Sequence, residues 1–236
     1  MDVNKVRKAF AVILSGGVGC RMQSDIPKQY IEVNGHPIIA YCLEKFARNA
    51  SISGIIIAVA EEWKTYVETL VDYISFSGPV YYSAPGEVRQ ETIYNALRVA
   101  AQHYSDEDIV IIHDAARPLI NNRLIDACID ACLTYDGAMP VLPVKDTIYQ
   151  SCDGETISSL LPRATLYVGQ TPEAFHLGKY LQAHETTSSH EELMQINGSS
   201  EIAYKQGLNI KLIPGEESNF KITTPMDLKR FEQLIK

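Results

Sequence analysis

The run Phe10-Ala11-Val12-Ile13-Leu14-Ser15-Gly16-Gly17-Val18-Gly19-Cys20-Arg21-Met22 decides the fold. Phe10–Leu14 is apolar throughout, without the alternation of a half-exposed strand, so it reads as a strand covered on both faces. The glycines that follow at once describe a strand-to-helix turn, the place where a parallel sheet opens its ligand crevice. The same rhythm repeats outward from this run. Ile55–Ala60, Val80–Tyr82, Ile109–Ile112 and Met139–Pro143 read as further short strands, with amphipathic helices at 37–48, 62–74, 88–103 and 122–134. In the last helix Leu124, Ile125, Cys128 and Cys132 share one face. The expectation is an α/β fold, a doubly wound and mostly parallel Rossmann-like sheet, formed by residues 1–236 as a single domain.

After Pro143 the texture changes. Residues 144–170 are polar and turn-rich, with short alternating segments at Thr147–Gln150 and Thr165–Val168 around Asp153-Gly154, a hairpin signal. They predict a projecting antiparallel arm. Regular structure then returns, with helices near 177–184 and 199–206 and a strand at 210–213. A final helix opens at Thr224-Pro225-Met226-Asp227, where a capping threonine, a proline and an acid agree on a start.

Of the 236 residues 46% are apolar, which suits a full core and excludes a disordered chain. The charge balance is 21 basic to 29 acidic residues, net −8, which argues against a nucleic-acid partner and restricts phosphate binding to local clusters of cations. No apolar stretch approaches the ~20 residues that span a bilayer, and residues 1–8 are too short and polar for a secretory signal, so no membrane partner is expected. Five cysteines, an odd number without CxxC spacing, suit a reduced cytoplasmic protein.

Four constellations carry chemistry. In the first, the glycines after strand Phe10–Leu14 let backbone amides approach a phosphate, while Arg21 and Lys28 of Pro27-Lys28-Gln29 supply charge. Met22 stands where a dinucleotide fingerprint needs its third glycine, and no Gly-Lys-Ser/Thr follows for a P-loop. The second is His113-Asp114-Ala115-Ala116-Arg117-Pro118 at the end of strand Ile109–Ile112. Asp114 there can hold Mg²⁺, a hard cation that prefers oxygen, Arg117 can contact phosphate or lock Asp114, and His113 reads as a satisfied core histidine. The third, Gly86-Glu87-Val88-Arg89-Gln90-Glu91-Thr92, offers amides and Arg89 at a helix start. The fourth gathers Asp146-Thr147, Pro162-Arg163, Gly169-Gln170-Thr171-Pro172 and Asn219-Phe220-Lys221-Ile222-Thr223. Each of these holds a hydroxyl or a cation beside a turn residue.

Taken in order, these segments resemble the polyol-phosphate cytidylyltransferase family over about residues 9–235, through Gly-Gly-x-Gly-x-Arg-Met with Pro-Lys-Gln, His-Asp-Ala-Ala-Arg-Pro, Gln-Thr-Pro and Asn-x-Lys-x-Thr. The resemblance implies a nucleotidyltransferase that moves CMP from CTP to a polyol phosphate with Mg²⁺ and releases pyrophosphate. By that likeness Arg21, Lys28, Lys221 and Arg163 are catalytic. The nucleotide is bound by Leu14, Ser15, Gly16, Gly17, Gly19, Pro85, Gly86, Arg89, Thr92, Asp114 and Ala115, with the metal on Asp114. The acceptor is bound by Arg117, Thr147, Arg163, Thr171 and Lys221. The arm, residues 144–170, reaches into a partner subunit, which implies a homodimer with shared sites.

Arg163 to Pro172 and Ser218 to Thr224 look like the ribitol 5-phosphate branch, whereas Ala115-Ala116 looks like the methylerythritol 4-phosphate branch. Asn197-Gly198 stands where both branches usually carry Thr-Asp, with Glu191, Glu192 and Glu201 as candidate replacements for the carboxylate. Other readings are a sugar-1-phosphate nucleotidylyltransferase, a dinucleotide-binding oxidoreductase and a catalytically inactive relative.

Overall fold

Strands form where the apolar runs fall and helices where the amphipathic stretches fall. The computed structural model describes residues 7–17, 26–187 and 190–236. In chain order the elements begin with β1 (Ala9–Leu14), β2 (Glu32–Val33), β3 (His36–Pro37), α1 (Ile38–Arg48), β4 (Ile52–Ala58), α2 (Glu61–Ile74), β5 (Val80–Ser83) and α3 (Arg89–Ala100). They continue with β6 (Ile109–Asp114), α4 (Asn122–Ala131), β7 (Gly137–Pro143), β8 (Ile148–Gln150), β9 (Ser159–Leu161), β10 (Tyr167–Gly169) and β11 (Glu173–His176). The last are α5 (Leu177–Thr186), α6 (His190–Gln195), α7 (Ser199–Lys205), β12 (Ile210–Pro214) and α8 (Pro225–Leu234). Among the described residues, eight strands share the main sheet, in the order β10-β7-β11-β6-β1-β4-β5 with β12 beside β7. β6, β1, β4 and β5 are mutually parallel. β11 runs antiparallel between β6 and β7. No helix among the described residues is long and apolar enough to cross a membrane.

Side chains alternate across the pleat, so each strand feeds two layers. Ala11 and Ile13 of β1 pack with Ile39, Leu43 and Phe46 of α1 and with Leu124 and Cys128 of α4. Phe10 and Val12 pack with Ile93 and Leu97 of α3 and with Leu177 and Tyr180 of α5. These residues are shut off from solvent. Both faces of the central strands β1, β4 and β6 are dry, which is why these strands read as unbroken apolar runs, and the helices wind onto both sides as expected.

Boundaries differ modestly from the sequence pattern. The strand expected at Ile55–Ala60 is Ile52–Ala58, because Ala60 already caps α2. The helix expected to reach 134 ends at Ala131, although Cys132 stays buried. The arm is corrected in its pairing. β8 pairs with β9, not with residues 165–168. Of those residues Tyr167 and Val168, with Gly169, form β10 and join the main sheet against Val141–Pro143, while Thr165 ends the 3-10 turn Arg163–Thr165. Asp153-Gly154 is not a two-residue turn either. It sits in the loop between β8 and β9, where the Asp153 carboxylate accepts hydrogen bonds from Ser151, Glu155 and Thr156 and organises the loop through its side chain.

β1 leads to β4 and β5 on one side, while β6 lies on the other. The strand order therefore reverses between β1 and β6, and the crevice outside their carboxyl ends is the favoured ligand position of such sheets. Leu14 pairs with Asp114 across this point, so the glycine loop and the acidic residue emerge side by side.

Candidate active site

The glycine loop leaves β1 pinned from behind. Gln29, buried, donates from Nε2 to the carbonyl oxygens of Ser15 at 2.6 Å and Gly17 at 2.9 Å. The Ser15 hydroxyl meets the Tyr30 hydroxyl at 2.8 Å, and Tyr30 stacks on Trp63 at 4.5 Å. Pro27 precedes one 3-10 turn, Lys28–Tyr30, which turns Gln29 and Tyr30 inward and leaves Lys28 on the cavity wall. Two glycines permit close approach. A Cβ on Gly16 would lie 2.3 Å from Pro85 Cβ, and one on Gly86 would lie 2.2 Å from Glu91 Cβ.

Across the cavity, α3 begins at Arg89 without a side chain capping from Val88. Local side chains order its approach instead. Gly86 N donates to Thr92 Oγ1 at 3.0 Å, and Glu87 N donates to Glu91 Oε2 at 2.9 Å. A helix N-terminus beside a cation suits a phosphate or another anion.

Asp114 is the electrostatic centre. Its Oδ2 lies 3.0 Å from Lys221 Nζ and 3.8 Å from Arg117 Nε. Its Oδ1 lies 3.3 Å from Arg89 Nη2 and 3.4 Å from Arg89 Nε. Burial alone pushes this carboxyl up, but Arg89, Lys221 and Arg117 outweigh burial and hold it well below the usual carboxylate range. Behind it, the Arg117 carbonyl faces His113 Nε2 at 3.0 Å and can only accept, so Nε2 carries the ring proton. His113 Nδ1 then accepts from Thr171 Oγ1 at 3.2 Å, and that oxygen accepts from Asp114 N at 3.3 Å. His113 is the satisfied core histidine that the sequence suggested, its imidazolium disfavoured by burial down to about 4.

These parts enclose a cavity of about 520 Å³. Of the residues expected at the site, Leu14, Gly16, Gly17, Lys28, Gly86, Arg89, Thr92, Asp114, Ala115 and Lys221 line it. Ser15, Pro85, Arg117 and Thr171 stand outside its lining. Ser15 and Thr171 support it through the hydrogen bonds above, Pro85 underlies Gly16, and Arg117 donates from Nη1 to Asn219 O at 2.6 Å. Thr147 and Arg163 are away from the cavity on the exposed arm, where Arg163 donates to Lys145 O at 2.6 Å. Gly19 and Arg21 lie outside the described residues. Gln29 and Thr223 line the cavity without having been singled out as site residues, although Pro-Lys-Gln and Asn-x-Lys-x-Thr carried them.

The carboxylate question at Asn197-Gly198 has a structural answer. Glu201 accepts from Asn197 N at 3.0 Å and so covers the start of α7, on the surface. Besides Asp114, the buried acid near Arg89 is Glu173 of β11, only 5% exposed. The described residues hold no group of three His, Cys, Asp or Glu side chains fit for a metal. A Mg²⁺ ion here would take one protein carboxylate, Asp114, and draw its other oxygens from a nucleotide's phosphates and water. That donor set fits the ion's habit in phosphoryl-transfer sites.

A sequence model described as IspD, 2-C-methyl-D-erythritol 4-phosphate cytidylyltransferase, matches residues 9–236. The chain is 31% identical to ribitol-5-phosphate cytidylyltransferase of Lactiplantibacillus plantarum over 229 residues, 96% of this chain and 97% of that protein. It is 30% identical to the enzyme of the same name from Vibrio parahaemolyticus, over 95% of this chain and 94% of that one. The crystal structure of Francisella tularensis 2-C-methyl-D-erythritol 4-phosphate cytidylyltransferase is similar with a TM-score of 0.80 at 26% identity, covering 96% of this chain and 99% of that chain. A glycine loop and an acid gripped by cations at the switch point of a wound sheet, matched from end to end, place this chain in the IspD family of cytidylyltransferases, which are nucleotidyltransferases.

Proposed function

We propose that the protein transfers CMP from CTP to ribitol 5-phosphate and releases pyrophosphate. The observation that carries this reading is the meeting of Lys28, Arg89, Asp114 and Lys221 on one cavity beside the glycine loop. Transfer of this kind asks chiefly for in-line placement and for charge set against the phosphates and the leaving group. Lys28 and the loop amides face the triphosphate. Asp114 engages one of the three donors of Lys221, whose ammonium has others for the acceptor phosphate. Mg²⁺, held by Asp114, would supply Lewis-acidic charge to the transferring group.

Support for ribitol 5-phosphate comes from the two relatives at 30 and 31% identity that bear that name, and from the likeness of Arg163–Pro172 and Ser218–Thr224 to that branch. Methylerythritol 4-phosphate is the second reading, favoured by Ala115-Ala116 and by the family description. The acceptor residues Thr147 and Arg163 sit on the arm outside the cavity of their own chain, which favours a homodimer whose arms complete each other's sites. Exposed Tyr149, Leu160, Tyr167 and Val168 give the arm an apolar surface suited to that contact. Buried free Cys42, Cys128 and Cys132 suit the reducing cytoplasm.

Pyrophosphate release with CTP and Mg²⁺ should be fastest, as kcat/KM, with ribitol 5-phosphate among a panel of polyol phosphates. Preference for methylerythritol 4-phosphate would overturn the acceptor, and silence with every acceptor would overturn the transfer itself.

A further inference from the structure

The segment between β12 and α8, which carries Lys221, belongs to no helix or strand. Its backbone groups must therefore find partners elsewhere, and two buried amides serve it. Gln170, the residue after β10, donates from Nε2 to Glu216 O at 2.8 Å and to Asn219 O at 3.3 Å, and its Oε1 accepts from Glu216 N at 3.1 Å. Asn219, fully buried, donates from Nδ2 to Thr171 O at 2.7 Å. Its Oδ1 has no hydrogen-bond partner among the described residues, so donation alone anchors this amide. Gly215 makes room for the first amide, since a Cβ there would lie 2.5 Å from Gln170 Oε1.

The same contacts lead to Asp114. Asn219 O also accepts from Arg117 Nη1 at 2.6 Å, and Thr171 Oγ1 accepts from Asp114 N at 3.3 Å. Beyond Lys221, Ile222 N donates to Ala116 O at 2.8 Å, and Ile222 is fully buried. Lys221 is thus fastened on both sides, to the foot of the arm and to the turn after β6, with its Nζ 3.0 Å from Asp114 Oδ2. The other end of the arm meets the segment on the surface, where Lys145 pairs with Glu217. A lysine side chain is long and flexible, and a small misplacement of a group that holds a reactant is costly in rate. The backbone beneath Lys221 therefore has to be fixed.

We propose that Gln170 and Asn219 are positioning residues for Lys221, two buried amides that lash its segment to the foot of the arm and set its ammonium against Asp114, ready for the acceptor phosphate. The inference rests on the reading of Lys221 as a holder of that phosphate and deepens it.

Gln170→Met, which fills the same space without the amide's hydrogen bonds, and Asn219→Ala should each weaken binding of ribitol 5-phosphate about three- to tenfold, as expected for coupled neighbours. Calorimetry on protein saturated with Mg²⁺ and α,β-methylene-CTP, which cannot release pyrophosphate, reads the loss, and affinity for the CTP analogue itself should hold. In a Lys221→Ala background both losses should vanish. Losses that persist without Lys221, losses confined to the nucleotide, or no loss at all would overturn the proposal. A second measurement needs no substrate. Lys221 should react with acetic anhydride about threefold faster in both variants than in the wild type, read by mass spectrometry, while Lys28 on the same cavity keeps its rate. An unchanged Lys221 rate, or a rise shared by Lys28, would overturn the proposal. Should Asn219→Ala fail to fold, Gln170→Met still decides. Wild-type protein that binds no polyol phosphate defeats the functional reading, and the labelling then judges the positioning contact separately.

Discussion

Gln29 shows how one amide shapes a loop of backbone. By holding the Ser15 and Gly17 carbonyls on the buried side, it leaves the intervening peptides free to present N–H groups to the cavity. Gln29→Ala removes both bonds and strands two carbonyls, a loss of about 1–3 kcal/mol in stability. CTP affinity should fall and acceptor KM should hold; calorimetry with CTP and initial rates with the acceptor read the two. His184 offers a second check at this scale. It is buried, and neither ring nitrogen has a hydrogen-bond partner among the described residues. Burial, helped by Arg89, depresses its pKa to about 3. The unfolded chain then binds a proton below about pH 6.5 that the folded chain refuses, so stability falls as pH drops from there toward 3. His184→Leu should flatten the slope of unfolding free energy against pH in that window by up to about 1.4 kcal/mol per pH unit; denaturant melts between those limits measure it. Lys28, Arg89, Asp114 and Lys221 were legible in the sequence because charge beside glycine or proline stands out. Gln29 was not, since its role depends on which distant backbone it meets after folding.

At the scale of elements, the parallel strands and their helices were readable because burial on both faces leaves an unbroken apolar signature. The α8 start was readable for a local reason. Thr224 and Asp227 close a capping box within four residues of chain. β11 was invisible. Its sequence, Glu173-Ala174-Phe175-His176, alternates polar and apolar residues, yet all four are buried in mid-sheet. His176 is tolerated through a tertiary partner, the Cys132 carbonyl at 2.9 Å, while Glu173 sits buried within the field of Arg89. Phe175, stacked on Tyr180 at 4.0 Å and fully buried, anchors the strand. Phe175→Ala should cost about 3–5 kcal/mol, as other large-to-small core changes do, visible as a lowered denaturation midpoint. A much smaller loss would mean that the strand is held chiefly by its ladder.

At the scale of the whole molecule, the cavity walls come from β1, β6, the approach to α3 and the segment before α8, while the arm stands apart. If acceptor groups cross between protomers, inactive Arg163→Ala and inactive Lys28→Ala proteins should regain activity when mixed and exchanged. One site of each mixed dimer would collect both defects and the other none. Activity absent after exchange has been demonstrated would assign Arg163 to its own protomer's site.

The placement of β10 carries a consequence for the order of events. Only Gln170 separates the base of the arm from Thr171, whose hydroxyl touches the Asp114 amide. If the arms complete each other's sites, a lone protomer owns a finished berth for its donor but only half a berth for its recipient. Dilution should blunt the response to the sugar phosphate long before it erodes the grip on the triphosphate.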